Sequence, residues 1–373
     1  MKLFSRAAAV ALLLGATALP AFAQDITIAV AGPMTGQLAN IGDQFKAGAQ
    51  AAADAINAKG GVMGRNIAIQ VEDDVCDPKQ AVSIANRIVA DGIMFIDGHA
   101  CSGSSIPASA VYAESGALMM TPASSNPALT DDAAAKGWPT IMRLYTRDDG
   151  QGAFLGPWLA EKYKGKKVAI LHDKSAYGQG LADAVKGKMN EAGLNEILYE
   201  GINPGEKDYT AVVAKLKQAG ADLVYFGGYH PEAGLMLRQA QEAGFKMNLM
   251  MGDSIASPEF WAVAGPAGEG TMFTFPTDPQ GRPQAKEAVE AIKGKGFTPD
   301  GFTLFSYAVV QAFAAGIERA QSDDPSAVAA ALKNGEPIDT VIGPIAFDEK
   351  GDIKDATYDI NVWKDGEYAP IAQ

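Results

Sequence analysis

Short apolar runs alternate with longer amphipathic stretches twice along this chain, and few folds accommodate that rhythm. In the first pass Ile26–Gly32, Asn66–Glu72, Ile93–Asp97 and Leu118–Thr121 read as strands. Helices are predicted between them over Asn40–Ala58, Pro78–Ala90 and about Gly103–Glu114. The pattern restarts with strands at Val168–His172, Ile197–Gly201, Leu223–Gly227 and Leu249–Met251, interleaved with helices at Gln179–Ala192, Tyr209–Gln218 and Glu232–Ala243. Alternation of this kind gives parallel sheets flanked by helices, with right-handed crossovers. A chain of 373 residues also exceeds one ordinary core, since domains run about 100–200 residues. The expected fold class is therefore α/β, with two Rossmann-like lobes. No long Gly/Ser or Pro-rich linker separates them, so short crossing strands should form a hinge. The tail is less regular. Phe302–Arg319 and Ser326–Lys333 read as helices, Val341–Phe347 and Tyr358–Trp363 as strands, and Asp365-Gly366 as a hairpin turn.

The first 24 residues have the form of a secretion signal. Lys2 and Arg6 precede an apolar run from Ala7 to Leu19, and Ala21-Phe22-Ala23 is a small-x-small cleavage signature. The run is shorter than the about 20 residues a membrane-spanning helix needs, so an exported, periplasmic chain is expected. The formal charge is −13, and taking away Lys2 and Arg6 leaves the mature chain near −15. That acidity, without any basic stripe, excludes nucleic acid and anionic lipid as natural partners. Two cysteines, Cys76 and Cys101, read as a disulfide in an exported chain, the alternative being two free buried thiols.

Catalytic arrangements are sparse. His99, His172 and His230 lie in separate segments with no metal-ligand spacing, so no metal site is expected. There is no nucleophile elbow and no phosphate loop. Gly178-Gln179-Gly180 is a fragment of a dinucleotide fingerprint, read as a loop lacking its third glycine, and no cofactor is expected. Polar chemistry instead collects where strands end, which is where open α/β sheets bind ligands. Cys101-Ser102-Gly103-Ser104-Ser105 opens a helix and suits a carboxylate, unless its hydroxyls serve only as helix caps. Thr121-Pro122-Ala123-Ser124-Ser125 offers hydroxyls and carbonyls, while Tyr177, Tyr229 and Asp253 follow strands of the second half. Donors in one lobe and an acid with aromatic walls in the other fit a cleft that closes on a zwitterion, because unpaired buried charge is costly.

Longer stretches carry a resemblance. Asp54-Ala55-Ile56-Asn57-Ala58-Lys59-Gly60-Gly61, Asp73-Asp74-Val75-Cys76-Asp77-Pro78-Lys79-Gln80-Ala81 and Gly227-Gly228-Tyr229-His230-Pro231-Glu232 resemble the periplasmic branched-chain amino acid binding proteins of ABC transporters, the leucine/isoleucine/valine group of type I. His172-Asp173-Lys174 with Tyr177-Gly178, and Asp348-Glu349-Lys350-Gly351-Asp352, extend it across essentially the whole mature chain. The resemblance implies a non-enzymatic, monomeric receptor that delivers an aliphatic amino acid to inner-membrane ABC permease subunits. It implies that Ser102 holds the ligand carboxylate, that the Ala123 carbonyl and Asp253 meet the ammonium, and that Ser125 supplies a hydroxyl where threonine is common. Tyr177 and Tyr229 would close over the ligand, and Cys76 and Cys101 match the family disulfide. Ile41 stands where close relatives have an aromatic, with Phe302 as a second pocket wall, so 4-aminobutyrate, small amino acids or amides remain alternative ligands. A sensor presenting its ligand to a signalling receptor is the alternative role. The expected lobes comprise residues 25–142 with 277–354, and 143–276 with 355–373.

Overall fold

The computed structural model describes residues 24–371, so the expected leader lies outside the described residues. The first half runs β1 (Ile26–Gly32), α1 (Ala39–Asn57), β2 (Ile67–Asp73), α2 (Pro78–Ala90), β3 (Phe95–Gly98), α3 (Ser102–Glu114), β4 (Leu118–Thr121), α4 (Ala128–Ala135) and β5 (Ile141–Arg143). The second runs α5 (Asp148–Lys162), β6 (Val168–His172), α6 (Ala176–Glu191), β7 (Leu198–Gly201), α7 (Thr210–Ala219), β8 (Leu223–Gly227), α8 (His230–Glu242), β9 (Leu249–Met251), α9 (Pro258–Ala264) and β10 (Met272–Pro276). The tail adds α10 (Lys286–Gly294), α11 (Thr303–Ala320), α12 (Pro325–Leu332), β11 (Ile338–Thr340), β12 (Gly343–Ile345), β13 (Tyr358–Lys364) and β14 (Glu367–Pro370).

These elements build two sheets. The first has order β2-β1-β3-β4-β5 and is parallel throughout. The second has order β14-β13-β10-β9-β8-β6-β7, parallel from β10 to β7 and closed on its other edge by the antiparallel β13–β14 hairpin. Strand order reverses at β1/β3 in one sheet and at β6/β8 in the other, which opens a crevice at the carboxyl edge of each. Two Rossmann-like lobes result, as the alternation required.

The chain passes between the sheets at residues 144–147, at 277–278 and at 354–357, and these crossings are bound to one another. Thr277 N–H donates to the Thr357 carbonyl (3.3 Å) and the Tyr358 hydroxyl to the Arg147 carbonyl (3.0 Å). Beneath them Arg143 is wholly buried. Its guanidinium donates to Asp352 Oδ1 (2.8 Å), to the Ser124 and Asn126 carbonyls (3.1 and 2.8 Å) and to Thr130 Oγ1 (2.6 Å). Arg147 takes the other Asp352 oxygen at 2.8 Å.

Two details differ from expectation. Ser175 caps α6, its hydroxyl accepting from Gly178 N–H at 2.8 Å. The helix therefore starts at Ala176, and Gly178-Gln179-Gly180 lies in its first turns, not in a loop. Val341–Phe347 is not one strand: β11 and β12 form a short antiparallel pair that turns at Val341-Ile342, with Thr340 Oγ1 donating to the Gly343 carbonyl at 2.6 Å. The Asp365-Gly366 turn is present, both residues at positive φ, as a two-residue hairpin of this kind requires. Cys76 and Cys101 are joined as a disulfide with Cα atoms 5.6 Å apart.

Removing one partner of a buried ion pair leaves the other charge stranded. Arg143→Met should therefore cost about 3 kcal/mol or more, read as a lowered urea midpoint. A loss below about 1 kcal/mol, the scale of an exposed pair, would show that Arg147 alone suffices for Asp352.

Candidate ligand-binding site

Helix α3 begins at the crevice of the first lobe. Cys101 occupies its N-cap but makes no side-chain capping bond, since its sulfur is committed to Cys76. The first-turn N–H groups of a helix have no intrahelical acceptor, and the helix dipole makes that end positive. Ser102, the first residue, is buried, and its Oγ accepts from Asn126 N–H at 3.2 Å. The loop after β4 is folded by Thr121, whose Oγ1 donates to the His99 carbonyl (2.6 Å) and accepts from Ser124 N–H (2.9 Å). That fold sets Ala123 in the wall facing Ser102.

The second lobe contributes the opposite chemistry. Tyr177 sits in the first turn of α6 and its hydroxyl donates to Asp253 Oδ1 at 2.6 Å. Tyr229 is the N-cap of α8, with its ring 5.2 Å from that of Tyr177. Asp253 opens the turn after β9 and is buried, and its Oδ2 has no hydrogen-bond partner among the described residues. Burial pushes its carboxyl above the ordinary carboxylate range, opposed by the Tyr177 and Tyr145 hydroxyls. The Tyr177 and Tyr229 phenols are raised well above their ordinary value by burial and by nearby carboxyls.

These groups line one narrow cavity between the lobes, in part open to solvent. Ser102, Ala123, Tyr177, Tyr229 and Asp253 all face it, together with Ile41, Ala100, Cys101, Ser254 and Phe302. One end is a helix N-terminus with a hydroxyl, the other a carboxylate. Ile41 and Phe302 supply apolar wall. Such a cavity is suited to hold a small zwitterion with an apolar side chain. Past Cys101 and Tyr229 it adjoins a wider recess that both lobes line.

The sequence also matches the periplasmic binding protein family model over residues 25–367. The chain belongs to that family. It is 48% identical over 343 residues to a protein named Leu/Ile/Val-binding protein homolog 2 from Brucella abortus (strain 2308), covering 92% of this chain and 91% of the relative. It is 47% identical over 352 residues to Leu/Ile/Val-binding protein homolog 1 from Brucella suis, covering 94% of each. Among solved structures, a leucine-binding protein from Thermotoga maritima superposes with a TM-score of 0.84 at 28% identity, covering 93% of this chain and 98% of that one. A branched-chain amino acid transporter substrate-binding protein from Streptococcus pneumoniae, in complex with isoleucine, gives 0.81 at 25% identity, covering 92% and 97%.

Within this periplasmic binding protein, Ser125 is the one expected site residue that does not line the cavity. It is buried, its hydroxyl beside the carboxyl of Asp148. Ala100 and Ser254 went unread although each adjoins an expected position. Asp148 was also missed. It is wholly buried, with both oxygens unpartnered among the described residues, and burial and the nearby Asp253 carboxyl push it up to about 8.

A carboxyl raised in the folded state keeps its proton where the unfolded chain has lost it, so stability falls as pH rises between the unfolded value and about 8. Asp148→Asn should therefore flatten that decline, raising the thermal midpoint at pH 8 by several degrees and changing it little at pH 4. Equal shifts at both pH values would show that Asp148 does not titrate in this window.

Proposed function

We propose that this protein captures a free aliphatic amino acid in the periplasm, with branched-chain ligands foremost, and presents it unaltered to an inner-membrane ABC permease. One observation carries the reading: a single inter-lobe cavity has the Ser102 end of α3 on one side and the buried, half-satisfied carboxyl of Asp253 on the other. The ligand carboxylate would take the hydroxyl and N–H groups at Ser102. Its ammonium would take Asp253 Oδ2 and the Ala123 carbonyl, and Tyr177 and Tyr229 would cover it. The relatives named for leucine, isoleucine and valine, and the solved complex with isoleucine, support that ligand class. Ser125 would contribute through Asp148 and not by direct contact.

The division into residues 25–142 with 277–354, and 143–276 with 355–373, is part of this proposal, as is removal of residues 1–24 on export. Sheet membership supports the division to within a residue, β5 ending at Arg143 and β10 at Pro276. Ligand would favour the closed state because only there do both charged ends find partners. A monomer suffices for this action, and no covalent step is involved.

Asp253→Ala leaves the ammonium without its charged partner, so amino acid affinity should fall at least about tenfold in calorimetry; an unchanged Kd would remove Asp253 from the site. Selectivity should reside in the apolar wall, where a methylene is worth about 1–3 kcal/mol. Ile41→Tyr should accordingly reorder leucine, isoleucine, valine and 4-aminobutyrate in a thermal-shift panel. An identical ranking would move the side-chain pocket elsewhere.

A further inference from the structure

We propose that Asn126 is a positioning residue that locks the lobes together and ties that lock to Ser102, an inference that rests on the ligand-binding reading above. Asn126 lies in the loop between β4 and α4 of the first lobe, and each of its four polar atoms is engaged. Its backbone N–H donates to Ser102 Oγ at 3.2 Å and its carbonyl accepts from the buried Arg143 at 2.8 Å. Its Oδ1 accepts from Ala128 N–H at 2.9 Å, which orients the amide so that the nitrogen points outward. That nitrogen crosses to the second lobe and donates to the Ala176 carbonyl at 2.6 Å. Ala176 opens α6 and directly precedes Tyr177.

The receiving surface is shaped for this amide. A Cβ on Gly180, one turn further along α6, would stand 2.5 Å from Asn126 Nδ2, closer than real Cβ atoms come, so an added methyl would push the amide from its seat. The Gly178-Gln179-Gly180 run thus has a role that owes nothing to nucleotide binding. Its last glycine is the notch into which the first lobe inserts. Other bridges join the lobes, from Asp148 N–H to the Ser125 carbonyl at 2.9 Å and from Asn40 Nδ2 to Ser257 Oγ at 3.2 Å, but neither ties Ser102 to the helix that carries Tyr177. Asn126 bonds both to the serine proposed to hold the carboxylate and to the helix that carries Tyr177.

The lock does not meet the ligand side chain. It should therefore hold every ligand by the same factor and act on dissociation, because parting the lobes would break the bond. The test is a double-mutant cycle of Asn126→Ala, Gly180→Ala and the pair. Gly180→Ala leaves the backbone bonds of Asn126 to Ser102 and Arg143 intact while crowding its amide. Two readouts are taken: dissociation of radiolabelled amino acid, and the radius of gyration of the ligand-free protein by small-angle scattering. Each single variant should speed dissociation about three- to tenfold, the loss of roughly one neutral hydrogen bond. Each should preserve the ligand ranking and expand the free protein, and the pair should be no worse than the more affected single.

Multiplicative effects in the pair, or wild-type values of both readouts for Asn126→Ala, would overturn the lock. If Asn126→Ala does not fold, Asn126→Asp takes its place, setting an oxygen against the Ala176 carbonyl. Should the wild type bind no amino acid, the amino acid reading fails by itself and scattering alone judges the lock: expansion supports it, and unchanged dimensions refute it.

Discussion

A carboxylate sealed in the interior with one oxygen unpaired is the constraint around which this molecule is arranged. Asp253 is buried and lines the inter-lobe cavity; Tyr177 satisfies one of its oxygens and the other has no partner among the described residues. Buried polar groups without partners are disfavoured by about 1–3 kcal/mol, and charged ones by more. A cation delivered to that oxygen would add a charge pair that the neighbouring Tyr177 and Tyr145 hydroxyls cannot supply. The positive end of α3 across the cavity makes the same demand with the opposite sign. On the proposed reading, a molecule carrying both charges would meet both demands only with the lobes together, and ligand chemistry would in that way be translated into closure.

The scaffold makes this translation possible by separating what must be rigid from what must move. Each sheet presents its carboxyl edge to the other, so Ser102, Ala123, Tyr177, Tyr229 and Asp253 all sit just beyond strand ends. Arg143 and Asp352, buried beside the crossings, fix the place from which the lobes pivot. The disulfide from Cys76 to Cys101 pins the loop that delivers Ser102 to the loop after β2. Bending, on the proposed reading, would be confined to a few residues at the crossings. The groups that recognise ligand are held by caps and sheets that stay intact.

Much of the architecture was legible because its strands are short, apolar and followed by helices with a clear polar face. The segments that were not legible have a physical reason. Helix α5 buries Asp148, Gln151, Gly152 and Gly156 along with Leu155 and Leu159, so only two aliphatic residues, among polar ones and glycines, mark its inward face. Gly152 and Gly156 are there because α6 runs against them; a Cβ on Gly152 would stand 2.8 Å from the Ala184 backbone. The site divides along the same line. Ser102, Ala123, Tyr177, Tyr229 and Asp253 follow strand ends, a rule readable from sequence, whereas Ser125 obeys the rule and yet faces Asp148. Asn126 had no signal at all, because its partner Ala176 is 50 residues away and belongs to the other lobe.

The central claim is that both charged ends of one small molecule are gripped at once. Calorimetry on the mature, ligand-stripped protein tests it most directly. It would compare the tightest-binding aliphatic amino acid with the two analogues that lack, in turn, its carboxylate and its ammonium. The account predicts that each deletion abolishes measurable binding while the intact zwitterion saturates one site. Comparable affinity for either analogue would contradict it.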